Sequence, residues 1–166
     1  NGGGINIYDP ESETFEYILR DESKDDPNQL IDNYCTIACE DHTGVFWIGT
    51  FRGLCAYDKT LNRFTYYSLQ NGNLPNNIVF YLKADSKGKI WVGTQNGLAC
   101  IQADRDQVKM YSTLEGLPNS LILGIEEDQN DNIWLVTNHG LSMYNPIDDS
   151  FTNYTTSDGL YTNEFK

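Results

Sequence analysis

Histidine is the side chain whose proton moves most readily near neutral pH, and this chain has only two, His42 and His139. Both fall in turn-like stretches that strand alternation sends to opposite ends of their units, so they cannot form one metal site or one acid–base pair. The four cysteines, Cys35, Cys39, Cys55 and Cys100, include no C-x-x-C pair and share no metal-ligand spacing with either histidine. They read as small core residues. Cys35 and Cys39, four apart in a strand, are expected on one face about 13 Å apart, too far for a disulfide. The acidic neighbours Asp25-Asp26, Glu126-Glu127 and Asp148-Asp149 suggest glycoside hydrolysis only if two carboxylates converge across a site. Adjacent residues diverge, so these read as solvated charge. Asp128-x-Asn130-x-Asn132 begins like a calcium loop, but Ile133 stands where the loop needs Gly and His139 where it needs Glu. Gly2-Gly3-Gly4 lacks the strand and helix that flank a phosphate loop. No catalytic residue, metal site or cofactor is expected, and the chain reads as one that binds rather than catalyses.

What could position a binding surface follows from composition. The 166 residues are 39% hydrophobic and 13% aromatic, with eleven tyrosines, and this mix favours strands over helices. The formal charge of -13 is spread along the chain, which disfavours nucleic acid, anionic membrane surfaces and anionic polysaccharides. No apolar run is long enough to span a bilayer and no charged-then-apolar leader opens the chain, so no membrane contact is expected of it.

Trp47, Trp91 and Trp134 are 44 and 43 residues apart. Each follows an Asp by six residues (Asp41, Asp85, Asp128) and precedes a Gly-Leu pair by six (Gly53-Leu54, Gly97-Leu98, Gly140-Leu141). A period near 43 belongs to propellers or solenoids, and four short alternating runs per unit decide for propeller blades. In the second unit the runs are Ile78 to Ala84, Lys89 to Thr94, Leu98 to Gln102 and Gln107 to Ser112. The Asp-initiated turns end in Gly44 and Gly88 at a positive-φ position, a role that Asp131 or Asn132 must take in the third copy. Val45, Trp47 and Gly49 face one way and Phe46, Ile48 and Thr50 the other, so each sheet is greasy on both faces and must be covered on both. Stacking blades about an axis does this.

The expected fold is all-β, a β-propeller fragment of four-stranded antiparallel blades. Residues 1–20 are the last two strands of a partial blade, 21–33 a linker, 34–69 a blade, 70–76 a linker, 77–114 and 115–155 blades, and 156–166 the lead into a further blade. Trp47, Trp91 and Trp134 are the expected inter-blade contacts. Two chains could pool their partial blades, which makes a homodimer an expected partner. A small ligand is expected at the end that carries the loops leading into each blade and the turns between second and third strands. There Phe51, Arg52, Gln95, Asn96, Asn138 and His139 offer amides, a guanidinium and an aromatic, a set suited to a sugar.

Trp47-Ile48-Gly49-Thr50 with Gly53-Leu54, Trp91-Val92-Gly93-Thr94 with Gly97-Leu98, and the Leu-Pro-Asn stretches Leu74 to Asn76 and Leu117 to Asn119 resemble two-component regulator propeller repeats. The resemblance covers essentially the whole chain. It implies the periplasmic sensor region of a bacterial hybrid two-component histidine kinase, usually two seven-bladed propellers followed by an immunoglobulin-like domain, a membrane helix and the kinase. It also implies sensing of a small ligand, an oligosaccharide, and carries over no catalytic residue. Trp134-Leu135-Val136-Thr137 departs from the pattern with Val in place of Gly. With Asp158 to Leu160 and Asn163 to Phe165, it is similar to blades that end the second propeller. The competing reading is a protein-interaction scaffold propeller with no small ligand.

Overall fold

Fourteen strands and one turn of 3-10 helix (Thr156–Asp158) make up the computed structural model, which describes residues 2–24 and 26–165. β1 (Ile5–Asp9) and β2 (Thr14–Ile18) pair as a half-blade. β3 (Cys35–Glu40), β4 (Val45–Thr50), β5 (Leu54–Asp58) and β6 (Arg63–Tyr67) form blade A. β7 (Val79–Ala84), β8 (Ile90–Thr94), β9 (Gly97–Ile101) and β10 (Val108–Tyr111) form blade B. β11 (Ile122–Glu127), β12 (Ile133–Thr137), β13 (Gly140–Asn145) and β14 (Ser150–Tyr154) form blade C. Each blade is an antiparallel meander in chain order.

The recurring Asp is the clasp of the first hairpin. Asp41 accepts hydrogen bonds from the backbone N–H groups of Thr43 and Val45 and, at 2.7 Å, from the Trp47 indole N–H. Asp85 does the same for Lys87, Lys89 and Trp91, and Asp128 for Asn130, Asn132 and Trp134. Asp128 therefore serves a turn, not a calcium loop, and Asp131 takes the left-handed conformation at φ 65. The Thr ending each second strand closes the next turn. Thr50, Thr94 and Thr137, all fully buried, donate to the carbonyls of Gly53, Gly97 and Gly140 and accept a backbone N–H two residues on.

The blades stack through their inner strands, with β7 against β3 and β4 and β11 against β7 and β8. Gly49 makes this approach possible, since a Cβ there would sit 2.6 Å from Val79 Cγ1; at Gly93 the neighbour is Ile122 Cγ2 at 2.8 Å. Trp47, Leu82 and Val92 fill the A/B joint, Trp91, Leu98 and Ile125 the B/C joint, and Ile18, Leu30 and Ile48 the joint between half-blade and blade A. Trp47 and Trp91 are buried, whereas Trp134, on the face of blade C that no described strand covers, is partly exposed and stacks on Tyr154. The longer connection ahead of blade A is fastened to β6: Phe64 N–H donates to Asn28, and the Tyr66 hydroxyl donates to the Gln29 carbonyl.

One expectation needs correction. β3 carries a bulge, so Cys35 lies opposite Thr50 while Cys39 lies opposite Trp47. The extra residue switches the alternation, and the two cysteines face opposite joints. β7 and β11 have the same irregularity.

Candidate functional site

The six residues expected to meet a ligand do share one end of the stack, because every turn after a second strand points the same way. Phe51 is half exposed and stacks with Tyr34 at a centroid distance of 6.4 Å. Arg52 reaches Asp32 at 3.6 Å and lines a shallow cavity of about 260 Å³ with Gly2, Glu22, Asn33 and Tyr34. Gln95, Asn96, Asn138 and His139 are exposed, and their side chains make no hydrogen bond among the described residues. Their backbones are held: Gln95 N–H donates to Ile78 O and Asn138 N–H to Leu121 O, which ties each turn to the loop leading into its own blade. The result is a set of amides and an aromatic ring on one rim, with a cavity beside Arg52.

Among the described residues no cluster of His, Cys, Asp or Glu is arranged to hold a metal. His42 lies over Gly88 of the neighbouring hairpin, far in topology from His139. The thiols are free, and burial raises them all, Cys55 and Cys100 to about 12 and Cys35 and Cys39 to about 11, so they stay protonated and inert. The acidic neighbours are not simply solvated. Glu126 pairs with Lys83 at 2.6 Å, Glu127 accepts from Ser86, and Asp149 pairs with Lys109, each across the B/C joint. Asp25 lies outside the described residues.

Sequence reasoning missed two features at the opposite end. Arg105, from the turn after β9, reaches back to blade A. It donates to Asp41 at 2.8 Å and Thr43 at 2.7 Å, and its guanidinium lies over the Trp47 ring. At the B/C joint the corresponding turn of blade C carries Asp149. It accepts from the Tyr144 hydroxyl at 2.8 Å, which in turn accepts from Tyr111 at 2.9 Å. Hydrogen bonding to Lys109 and Tyr144 holds Asp149 below the usual carboxylate range, and burial pushes Tyr144 up to about 12. Beside this chain of hydroxyls opens a groove of about 530 Å³ walled on its other side by Lys89, Gln102 and Gln107. The repeat itself held a faint signal: Lys89 stands where blades A and C carry Val45 and Asn132.

Stacked four-stranded meanders sharing indole-filled joints define a segment of a β-propeller. Its repeats are of a particular kind. The family model described as two component regulator propeller matches residues 73–96 and 116–139, each running from a Leu-Pro-Asn loop to the turn after the second strand. These two stretches, in blades B and C, are two component regulator propeller repeats. The extracellular domain of a hybrid two component system from B. thetaiotaomicron is similar over 98% of this chain at 31% identity, with a TM-score of 0.84. The extracellular domain of a one component system from the same organism is similar over 92% at 22% identity and 0.71. This chain spans 22% of the length of each. Virginiamycin B lyase from Staphylococcus aureus shares the fold over 73% of this chain and 41% of its own, at 20% identity and a TM-score of 0.60. No curated protein sequence matches.

Proposed function

We propose that this chain is a non-catalytic part of the periplasmic sensor region of a hybrid two-component histidine kinase. It binds a small ligand, an oligosaccharide, and relays binding through the packing of blades or of a sensor dimer. The observation that carries this reading is the 31% identity over 98% of the chain to the extracellular domain of a hybrid two component system. Supporting it, the family model described as two component regulator propeller matches residues 73–96 and 116–139. A ligand that bridges neighbouring blades favours one spacing of the stack over another, and only such a differential affinity can transmit a signal.

The test uses the full-length protein that contains these repeats. Its transcriptional output is followed while cells receive pools of oligosaccharides from different polysaccharides. One pool is expected to switch the output, and replacing Gln95, Asn96 and Asn138 together by Ala is expected to blunt that response. An output that no pool changes overturns the sensor reading.

A further inference from the structure

We propose that the groove between blades B and C is a binding site for a small hydroxylated carboxylate, of which a hexuronate is the simplest sugar form. The groove is bounded by two complete neighbouring blades, so its walls do not depend on residues outside the described ones. Three observations select the ligand. First, Lys89 is partly buried at the wall, and its ammonium has neither an ion pair nor a hydrogen bond among the described residues. The nearest acid in sequence, Asp85, is directed instead to the Trp91 indole and the Lys89 backbone N–H.

Second, Lys109 and Asp149 neutralise each other within one wall of the groove, so the lining keeps one uncompensated positive charge in a chain whose net charge is -13. A single anionic group is therefore matched here and repelled over most of the remaining surface. Third, the neutral groups are polar and open. Gln107 has no side-chain hydrogen bond among the described residues, and Gln102 has only a weak one, from its amide N–H to Cys100 Sγ at 3.5 Å. Two amides with open donors and acceptors, lining the same groove as a carboxylate, suit vicinal hydroxyls, and the volume falls within the range of small-molecule sites. The Tyr111–Tyr144–Asp149–Lys109 chain fixes one wall before any ligand arrives, which lowers the ordering cost of binding.

The site deepens the sensor reading, on which its biological purpose rests; binding itself can be tested apart. Calorimetric titration of the chain with D-glucuronate and D-galacturonate, with D-glucose and acetate as controls, is expected to show at least one uronate binding about tenfold or more tighter than both controls. Lys89→Met is expected to weaken that uronate about tenfold at unchanged melting temperature, and Arg52→Met, at the opposite end, to leave it unchanged. Should Lys89→Met fail to fold, Gln107→Ala and amide chemical-shift mapping replace it, with shifts expected at Gln102, Gln107 and Asp149. The inference is overturned if neither uronate binds more tightly than the controls, if Lys89→Met or the shift map leaves the groove silent, or if Arg52→Met abolishes binding. A neutral oligosaccharide bound at the Gln95 end would sink this site and leave the sensor reading standing. Uronate binding in the groove without any output from the full-length protein would do the reverse.

Discussion

Asp41 is a buried junction of the fold, joining its own hairpin to the following blade. Almost wholly buried, it accepts from the Trp47 indole, from Thr43 through both hydroxyl and backbone N–H, from the Val45 N–H and from Arg105. Burial alone would raise its pKa, but the hydrogen bonds from Thr43 and Trp47 outweigh it and hold the carboxyl at about 2. Removing it strands a guanidinium, two backbone N–H groups and an indole N–H, so Asp41→Ala is expected to cost about 3–5 kcal/mol in urea unfolding. Arg105→Ala leaves Asp41 with its other donors, and about 1 kcal/mol is expected. The two values coming out equal would show that the ion pair, not the hairpin clasp, is what matters. Because the folded pKa lies below the unfolded one, this carboxylate contributes its stability in full above about pH 4 and loses it as pH falls towards 2. The loss amounts to about 2 kcal/mol. Asp41→Asn is expected to lack that part of the acid dependence, which a pH series of unfolding curves between 5 and 2 checks.

At the scale of elements the decisive contacts are those between a second strand and the first strand of the following blade. Gly49 against Val79 and Gly93 against Ile122 leave no room for a methyl group. Gly49→Ala is expected to destabilise by about 1–3 kcal/mol through overpacking. Combined with Val79→Ala it is expected to cost less than the sum of the two single changes, because the second change vacates the space the first one needs. Strict additivity in that double-mutant cycle would mean the blades tolerate a wider spacing. Much of this was legible in the sequence. The period of the indoles, the Asp six residues ahead and the Gly-Leu pair six residues behind recur in all three units, and the Gly two residues behind recurs at Trp47 and Trp91. The bulges in β3, β7 and β11 were not legible, because the extra residue shows only in the pairing with the neighbouring strand and not in the strand's own composition. Cys35 and Cys39 were misassigned for that reason. The turn residues of the candidate site follow from strand direction alone. The B/C groove does not, since it depends on how Lys89, Tyr144 and Asp149 fill a joint that Arg105 and Trp47 fill differently one blade earlier.

Across the described residues most ion-paired cations tie one blade to the next. Lys59 reaches Glu16 of the half-blade, Arg105 reaches blade A, and Lys83, Lys87 and Lys109 reach blade C. Apart from Arg105–Asp41 these pairs are largely exposed and add little stability each, so cohesion must come mainly from the apolar joints. Those joints are unequal. Trp47 and Trp91 are each enclosed by two blades, while among the described residues Trp134 lies on a face of blade C that no further blade covers, stacked on Tyr154 of its own blade. A fully buried indole removes roughly 150–250 Å² from water, at about 25 cal/mol/Å². Trp91→Ala is therefore expected to cost about 3–5 kcal/mol and Trp134→Ala about 1 kcal/mol, with Trp47→Ala close to the former. Acrylamide quenching offers a second readout on the same chain: Trp134→Phe is expected to remove the readily quenched part of the emission, and Trp91→Phe to leave it in place. If Trp134→Ala proves as costly as Trp91→Ala, or if its emission is shielded, the open face of blade C must be covered in solution, and self-association measured by sedimentation would then be the first explanation to try.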